Sequence, residues 1–412
     1  MLDPARILQR CDALARHSEL PGGLTRVFLS PEARAATDKV LGWMREAGMQ
    51  AKLDAIGNAE GRYEGERPGL ACLMLGSHLD TVRDAGKYDG MLGVVAAIEC
   101  VHALHSRKKR LPFAIEVIGF ADEEGVRFGT TLLGSRAVAG TLDHAVLKVK
   151  DAKGIAMSDA MREFGLDATR IPEVARKKGD VLAYAELHIE QGPVLEAEGL
   201  PVGVVTAING FSRLRATLHG AAGHAGTVPM GLRRDALAGA AECVLAVERI
   251  AKEHAELVGT VGRIEAKPGA INVIPGEVSF SVDVRAPQDP LRNDAVAAIR
   301  SQIEQISKAR KIQCEIETLQ EFGVTACAPW LMEQMGAAVA SQGHRVRHLP
   351  SGAGHDGMAL RAITDICMLF VRCKGGISHS PLESISAQDA AAGATVFLEF
   401  IESFSYEKRL SP

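Results

Sequence analysis

Residues 70–76 have the sequence LACLMLG, an apolar run that is followed directly by the polar segment SHLDT at residues 77–81. Residues 114–121 (AIEVIGFA) and 182–188 (LAYAELH) are similar, mostly apolar runs, and acidic or imidazole side chains stand at their ends. Short apolar runs of this kind are typical of strands that are covered on both faces. The three segments therefore predict buried strands of one central sheet.

The segments around these strands have helical patterns. We predict helices at 32–49, 91–106 and 328–342, and a further buried strand at 365–371 (DICMLFV). Alternation of short strands with helices is characteristic of α/β folds. The sequence thus predicts an α/β fold with a central, mostly parallel sheet and helices on both of its faces.

A change of pattern near residue 210 indicates a second domain. The chain has 412 residues, and a single hydrophobic core stops growing near roughly 250–300 residues. After residue 210 the predicted elements are strand, helix, two strands, helix and strand, at 211–220, 235–252, 257–266, 277–285, 290–310 and 312–319. This order matches an open-faced, ferredoxin-like α+β sandwich. We predict a first domain of residues 1–209 and 326–412, with residues 210–325 inserted into it.

The composition excludes several classes of partner. Lys and Arg number 47 and Asp and Glu number 51, and the resulting net charge of −4 offers no basic field for a nucleic acid. No apolar stretch approaches the roughly 20 residues of a membrane span, and the first residues lack a signal-peptide core. Eight cysteines are scattered without a CxxC pair, which favours a reduced, cytoplasmic protein.

Four polar clusters follow predicted strands or turns, where open α/β sheets bind their ligands. They lie at residues 76–81 together with 88–90, at 120–125, at 186–192 and at 375–381. Imidazole and carboxylate groups together suit divalent zinc, manganese, cobalt or nickel. One His-x-Asp pair or one Glu-Glu pair is more often structural or solvated surface. Their joint occurrence after separate apolar strands predicts a metal site.

The spacing within the clusters suggests individual roles. Residues two apart on an extended backbone point the same way, so Asp80 can orient the imidazole of His78. Asp89 can bridge two ions about 3.5–4 Å apart, the spacing of dinuclear hydrolases. Glu123 and Glu124 project in different directions, so one can bind metal while the other handles the proton of an attacking water.

The clusters, in this order, resemble the dinuclear metallo-amidohydrolases related to aminoacylases and carboxypeptidases. More narrowly, they resemble the branch that contains allantoate amidohydrolase, N-carbamoyl-L-amino-acid hydrolase and β-ureidopropionase. The resemblance spans nearly the whole chain, and its motifs are residues 76–81, 122–128, 134–135, 186–192, 223–226, 229–230, 234–236, 354–356 and 377–381.

The resemblance implies a metal-ligand set and a reaction. His78 and His188 would hold one divalent ion, Glu124 and His379 would hold the other, and Asp89 would bridge them. Zinc or manganese is implied first, with cobalt and nickel as alternatives. The implied reaction is hydrolysis of the carbamoyl (ureido) C–N bond of a small carboxylate-bearing substrate, such as allantoate or an N-carbamoyl-L-amino acid.

The resemblance also implies the remaining catalytic and binding roles. Glu123 would be the general base, Asp80 would hold His78, and His224 would stabilise the oxyanion. Gln191 would contact the ureido group, and substrate would also be bound by Arg213, Asn272 and Arg285. The inserted domain would act as a lid and as the dimerisation surface of a homodimer. The patterns alone leave a solvated role open for both arginines and a turn role open for Asn272.

Two other functions remain open at this point. An aminoacylase or dipeptidase would keep the metals and change the substrate, although His188 stands where such relatives often have a carboxylate. A catalytically silent protein of the same fold would bind a carboxylate or serve in dimerisation without hydrolysing a substrate. A serine hydrolase is disfavoured, because the chain contains no GxSxG pentapeptide.

Overall fold

The structure, a computed structural model, describes residues 2–410. Its α-helices are α1 (Pro4–Ala15), α2 (Pro31–Glu46), α3 (Met91–Ser106), α4 (Leu133–Val138), α5 (Met157–Phe164), α6 (Val194–Ala197), α7 (Ala236–Lys252), α8 (Asp289–Ala309), α9 (Pro329–Ser341), α10 (Gly357–Leu360) and α11 (Ala387–Ser403). Its strands are β1 (Gln50–Leu53), β2 (Ala59–Tyr63), β3 (Cys72–His78), β4 (Ala114–Phe120), β5 (Val181–Ile189), β6 (Val202–Ile208), β7 (Gly210–His219), β8 (Gly223–His224), β9 (Val258–Thr260), β10 (Ile264–Lys267), β11 (Val273–Ile274), β12 (Glu277–Ala286), β13 (Gln313–Phe322), β14 (Thr325–Ala326), β15 (His348–Ser351) and β16 (Ile366–Val371).

A nine-stranded sheet of order β1-β2-β4-β3-β5-β16-β6-β14, with β15 beside β6, forms the centre of the larger part of the chain. Its four middle strands, β4, β3, β5 and β16, run parallel. The pairs β1–β2, β2–β4 and β16–β6 are antiparallel. The predicted α/β fold is confirmed. The antiparallel pairing at the two sides of the sheet was not predicted from the sequence.

Burial on both faces explains the apolar runs of the middle strands. Every residue of β3 and β4 is buried. Leu73 and Leu75 of β3 join one apolar cluster with residues of α1, α3, α9 and α11, while the alternate residue Met74 is buried as well. In the parallel register His78 lies opposite Phe120. The polar residues that follow β3 and β4 therefore emerge at the same sheet edge.

Helix α3 begins just after Asp89 and is fixed to α1 by a buried ion pair. Glu99, which is fully buried in α3, accepts hydrogen bonds from Arg6 Nε at 2.8 Å and lies 2.6 Å from Arg10 Nη1. Removing one partner of such a buried pair leaves an uncompensated charge, at a cost of about 3–5 kcal/mol. The contact anchors the helix whose first turn follows the Asp89 loop.

The chain folds into two compact units. The first comprises residues up to Thr206, Ala326–Leu349 and those from Ala353 onward; the second comprises Ala207–Thr325 and Pro350–Gly352. In the second unit a sheet of order β10-β12-β7-β13, with β9 paired to β12, packs against α7 and α8. Strands β8 and β11 form a separate two-stranded sheet.

Several element boundaries differ from the predicted ones. The strand predicted at 257–266 is split into β9 and β10, which both pair with β12. Helix α2 ends at Glu46 rather than at residue 49, since Gly48 adopts a left-handed φ of 78°. Strands β1 and β2 and helix α11 were not predicted. Within residues 2–410, no helix combines the length and the apolar composition needed to cross a membrane.

Candidate metal centre

Two imidazoles at the ends of neighbouring strands face one carboxylate oxygen. His78 ends β3 and His188 lies in β5, and both are almost fully buried. The Nδ1 of His78 donates to the main-chain oxygen of Asp80 (3.0 Å), and the Nδ1 of His188 donates to that of Ile189 (2.9 Å). The two Nε2 atoms lie 3.5 Å and 3.1 Å from Asp89 Oδ1.

The second oxygen of Asp89 faces a different pair of side chains. His379 Nε2 lies 3.2 Å from Asp89 Oδ2 and 3.5 Å from Glu124 Oε1. One ligand atom each of Asp89, Glu124 and His379 lie within 4.8 Å of one another, and the same holds for His78, Asp89 and His188. The five predicted ligands therefore come together as two groups that share Asp89.

The orientation of the buried imidazoles fits bound cations. Because each Nδ1 carries the proton that is donated to a carbonyl, each Nε2 of a neutral ring presents a lone pair to the Asp89 carboxylate. Among the residues that the structure describes, His188 Nε2 has no hydrogen-bond partner. A buried lone pair facing a carboxylate is unfavourable unless a cation or proton lies between them. This donor set is the His and carboxylate mixture that divalent zinc or manganese accepts.

The carboxyl groups around this point have perturbed pKa values. Burial raises the pKa of Glu123 well above its ordinary value and raises that of Glu124 to about 7. Burial acts in the same direction on Asp89, but its contacts with His188, His379 and His78 outweigh burial and hold its pKa well below the ordinary value. Oppositely shifted acids in one cluster are a signature of functional sites.

Asp80 holds the site differently from the side-chain contact that was predicted. Its carboxylate accepts the main-chain N–H groups of Glu123 and Glu124, each at 3.0 Å. His78 is bonded instead to the main-chain oxygen of Asp80, and the Asp80 carboxylate lies 3.9 Å from His78 Nδ1. Although Asp80 lies only two residues after His78, its carboxylate points towards the loop of Glu123 and Glu124. Asp80 thus orients His78 through its main chain and fixes the Glu123–Glu124 turn through its side chain.

Gln191 also lies at the shared carboxylate. Its Nε2 donates to Asp89 Oδ2 at 2.9 Å, which leaves Oε1 as an acceptor. That Oε1 atom is buried and, within residues 2–410, has no hydrogen-bond partner. Gln191, Asp122 and His379 all have left-handed φ angles of 54–56°. Non-glycine residues in this conformation cost energy and concentrate at functional sites.

The predicted arginines form a cluster in the second unit. Asp283 of β12 accepts from Arg285 Nε (2.8 Å) and Nη2 (3.0 Å) and from Arg213 Nε (3.0 Å). The guanidinium groups of both arginines lie over the ring of Phe211, at 4.7 Å and 5.6 Å. Arg213 also bonds Gln320. A carboxylate and an aromatic ring thus hold two cations side by side.

His224 and Asn272 are neighbours in the two-stranded sheet of the same unit. His224 pairs with Val273 in the β8–β11 ladder. Its Nδ1 accepts the main-chain N–H of Gly226 at 3.0 Å. In a neutral ring the proton is then on Nε2, which leaves that atom as a donor. The main-chain oxygen of Asn272 accepts from Ala225 N at 2.9 Å, and Asn272 itself is exposed.

The sequence patterns did not identify the polar residues that contact the predicted ligands or the segments next to them. Glu186 accepts from Ser77 Oγ (2.7 Å) and Tyr184 OH (2.8 Å), and a ligand atom of Glu186 lies near His188 and His355. Its place two residues before His188 on the same face of β5 was a usable signal. Glu383, which contacts the Asp89 loop, follows the last motif without any distinguishing pattern.

Comparison with protein-family models assigns residues 74–403 to the peptidase family M20/M25/M40. The chain belongs to this family. The family resemblance that was predicted from the motifs is therefore confirmed.

Relatives of this M20/M25/M40 chain cover it almost completely. An N-carbamoyl-L-amino acid amidohydrolase of Geobacillus stearothermophilus is 44% identical over 96% of this chain and 97% of the relative. Allantoate deiminase 1 of Glycine max is 42% identical over 95% of this chain and 88% of its own. A solved amidase of the hydantoinase/carbamoylase family from Burkholderia multivorans is 33% identical, with a TM-score of 0.92 and 98% of each chain covered.

Proposed function

We propose that this protein is a metal-dependent amidohydrolase that cleaves the carbamoyl (ureido) C–N bond of a small carboxylate-bearing substrate. The observation that carries the proposal is Asp89, whose two oxygens face two separate groups of imidazole and carboxylate ligands. The similarity to N-carbamoyl-L-amino acid amidohydrolase and allantoate deiminase supports the substrate class.

The five ligands would divide between two cations. His78 and His188 would hold one ion, Glu124 and His379 the other, and Asp89 both. Such a pair of ions, when bound, lowers the pKa of the attacking water and polarises the carbonyl that the water attacks. Zinc or manganese suits the mixed donors best, and cobalt or nickel would also be accepted.

Glu123 would act as the general base. It is 8% exposed, and a ligand atom of Glu123 lies within 4.8 Å of one of His78 and one of Glu124. Its main chain is fixed by the Asp80 carboxylate. Glu123 would take a proton from the attacking water and return it to the leaving nitrogen, after which the substrate separates into ammonia, carbon dioxide and an amine.

The second unit would supply the donors that bind and polarise the substrate. His224, with its proton on Nε2, would stabilise the developing oxyanion. Arg213 and Arg285 would bind the substrate carboxylate, since paired guanidinium groups suit planar acids. Asn272 would complete the substrate contacts.

Gln191 would favour ureido substrates over N-acyl substrates. Its Nε2 is occupied by Asp89, so only the buried Oε1 is available to a substrate. A ureido NH₂ can donate to this oxygen, whereas an acyl CH₃ in the same place leaves it unsatisfied. An unsatisfied buried acceptor costs about 1–3 kcal/mol, which corresponds to roughly 5–150-fold in discrimination.

We further propose a cytoplasmic homodimer that assembles through the inserted domain of residues 210–325. Cysteine usage supports the compartment, because all eight cysteines are free and seven of them are buried. Exposed apolar side chains in the second unit, including Leu245, Val258 and Ile264, support an interface there.

The test is turnover after metal exchange. The protein is stripped by chelation, reloaded in turn with manganese, zinc and cobalt, and assayed with allantoate, N-carbamoyl-L-amino acids and β-ureido acids. N-acetyl amino acids serve as matched acyl controls, assayed by amine release. We expect the chelated protein to be inactive, and ureido acids to be preferred about tenfold or more over acyl controls. Full activity after exhaustive chelation, or a preference for acyl substrates, would contradict the proposal.

A further inference from the structure

A buried carboxylate outside the ligand set holds the loop that carries Asp89. Glu383 is 4% exposed and lies four residues after His379. Its Oε1 accepts the main-chain N–H of Tyr88 at 2.8 Å and that of Asp89 at 3.1 Å. Its Oε2 lies 3.0 Å from Ser378 Oγ. One side chain therefore joins two loops that each present a predicted ligand.

The same network reaches only one of the two oxygens of Asp89. Ser378 Oγ lies 2.9 Å from Asp89 Oδ2, and Gln191 Nε2 donates to that oxygen at 2.9 Å. This is the oxygen that faces His379. The other oxygen, Oδ1, faces His78 and His188. Loss of the contacts made by Glu383 and Ser378 would therefore affect the position of Asp89 Oδ2 more than that of Oδ1.

Close packing leaves Glu383 little freedom to move. A Cβ atom added to Gly86 would lie 2.2 Å from Glu383 Cδ, so this segment accommodates only glycine beside the carboxylate. The main-chain N–H of Glu383 donates to Ser380 O at 3.0 Å, which closes a turn that begins directly after His379. Glu383 is thus fixed relative to both loops.

The ligands differ in how far they depend on such support. His78 and His188 stand on strands of the central sheet, and their Nδ1 atoms are held by main-chain carbonyls. The His379 side chain is 49% exposed, and the residue adopts a left-handed φ of 54° in a loop. The chain on both sides of His379 contacts Glu383, through Ser378 Oγ before it and through the turn that begins at Ser380 after it.

We propose that Glu383 is a positioning residue that sets the cation site formed by Asp89 Oδ2, Glu124 and His379, and leaves the His78–His188 site largely independent of it. The inference rests on the proposed metal centre. It assigns Glu383 no contact with substrate. Glu383 acts by aligning the Asp89 carboxylate with His379 through Ser378 and two main-chain N–H groups.

The test is a zinc titration of the metal-free protein by calorimetry. We expect two equivalents to bind to the wild type. Glu383→Ala should retain one equivalent at wild-type affinity and bind the second about tenfold to 100-fold more weakly, the usual effect of removing a residue that supports a metal ligand. Glu383→Gln should restore the second site, because its Oε1 can still accept both N–H groups and its Nε2 can donate to Ser378.

Two further variants separate positioning from general stability. Ser378→Ala removes the bridge to Asp89 Oδ2 and leaves the main-chain contacts of Glu383, so it should weaken the second site by a smaller factor. It also carries the test if Glu383→Ala does not fold. Asp389→Ala is the matched control: Asp389 is a buried carboxylate bonded to Arg372 and Ser386, neither of which is a proposed ligand. It should lower Tm and leave both zinc affinities unchanged.

The outcomes distinguish this inference from the proposed function. Wild-type protein that binds two zinc ions but releases no ammonia would refute the function alone. Two unchanged affinities in Glu383→Ala, or an equal loss of both, would overturn the positioning role while the function stands. Failure of the wild type to bind a second ion would overturn both.

Discussion

The two units hold the side chains predicted to be functional in opposite ways. In the first, the predicted ligands His78 and His188 are 3% and 1% exposed, and each ring is locked by a main-chain carbonyl. In the second, Arg213 and Arg285 are 44% and 29% exposed and share Asp283. In the first unit the imidazole rings are fixed in position, and within residues 2–410 the lone pair on each Nε2 has no hydrogen-bond donor facing it. In the second unit both guanidinium groups are already paired with the Asp283 carboxylate.

This difference separates two physical tasks. The proposed metal ligands His78 and His188 stand on strands of the central sheet, so their positions are set before any ion binds, and their Nε2 lone pairs remain available to a cation. Two partly exposed arginines that share one carboxylate can exchange a partner for a substrate carboxylate at a modest desolvation cost. We therefore expect substitutions in the first unit to remove the general base or the bound metal, and substitutions in the second to leave the bound metal unchanged while they lower kcat or raise KM.

The largest effect is expected from Glu123→Gln. The amide cannot accept the proton of the attacking water, so kcat should fall by about 10²–10⁴-fold. Metal content, measured by elemental analysis, should stay near that of the wild type, since Glu123 is outside the five ligands. Glu163→Gln, at an exposed position of α5, is the control and should be fully active. Retained turnover in Glu123→Gln would remove this residue as the base.

An intermediate effect is expected from His224→Ala. Loss of one oxyanion donor lowers kcat by about 10²–10³-fold. Because His224 is not one of the five proposed ligands, both zinc affinities should be unchanged, whereas His188→Ala should lose bound metal. Loss of metal from His224→Ala would erase the contrast between the units, and an unchanged kcat would refute the oxyanion role.

The smallest effects are expected from the arginine pair. Arg285→Ala and Arg213→Ala should each raise KM for carboxylate substrates by about tenfold or more, as expected for one charge-assisted hydrogen bond. Arg215→Ala is the matched control, because Arg215 lies two residues from Arg213 on β7 and pairs with Glu317 instead. Its KM should match the wild type. Equal KM values in all three variants would exclude the carboxylate contact.

Local sequence patterns explain which parts of the site could be predicted from the residues. Short apolar runs indicated β3, β4 and β5, and their ends located His78, Glu123 and His188, because burial and strand termination leave local patterns. The family resemblance supplied the remaining ligands. The antiparallel β1–β2 pair escaped notice, since its strands are short and their patterns weak.

Contacts between distant loops left no such local pattern. Glu383 is separated from Asp89 by 294 positions, and nothing around it in the chain distinguishes it from a surface glutamate. The use of the Asp80 main chain rather than its carboxylate for His78 was equally invisible, because it depends on where the Glu123 loop passes.

Residue types, spacing and strand ends predicted the α/β fold and a mixed His and carboxylate donor set, and the family resemblance added the ligand assignment and the class of chemistry. The folded chain alone fixed which oxygen of Asp89 faces which imidazole, which atom of Gln191 is available, and which carboxylate supports the His379 loop. Periodicity records burial along one segment of chain. Hydrogen-bond partners depend on the approach of segments that are remote in sequence, and that approach is set by packing of the whole sheet.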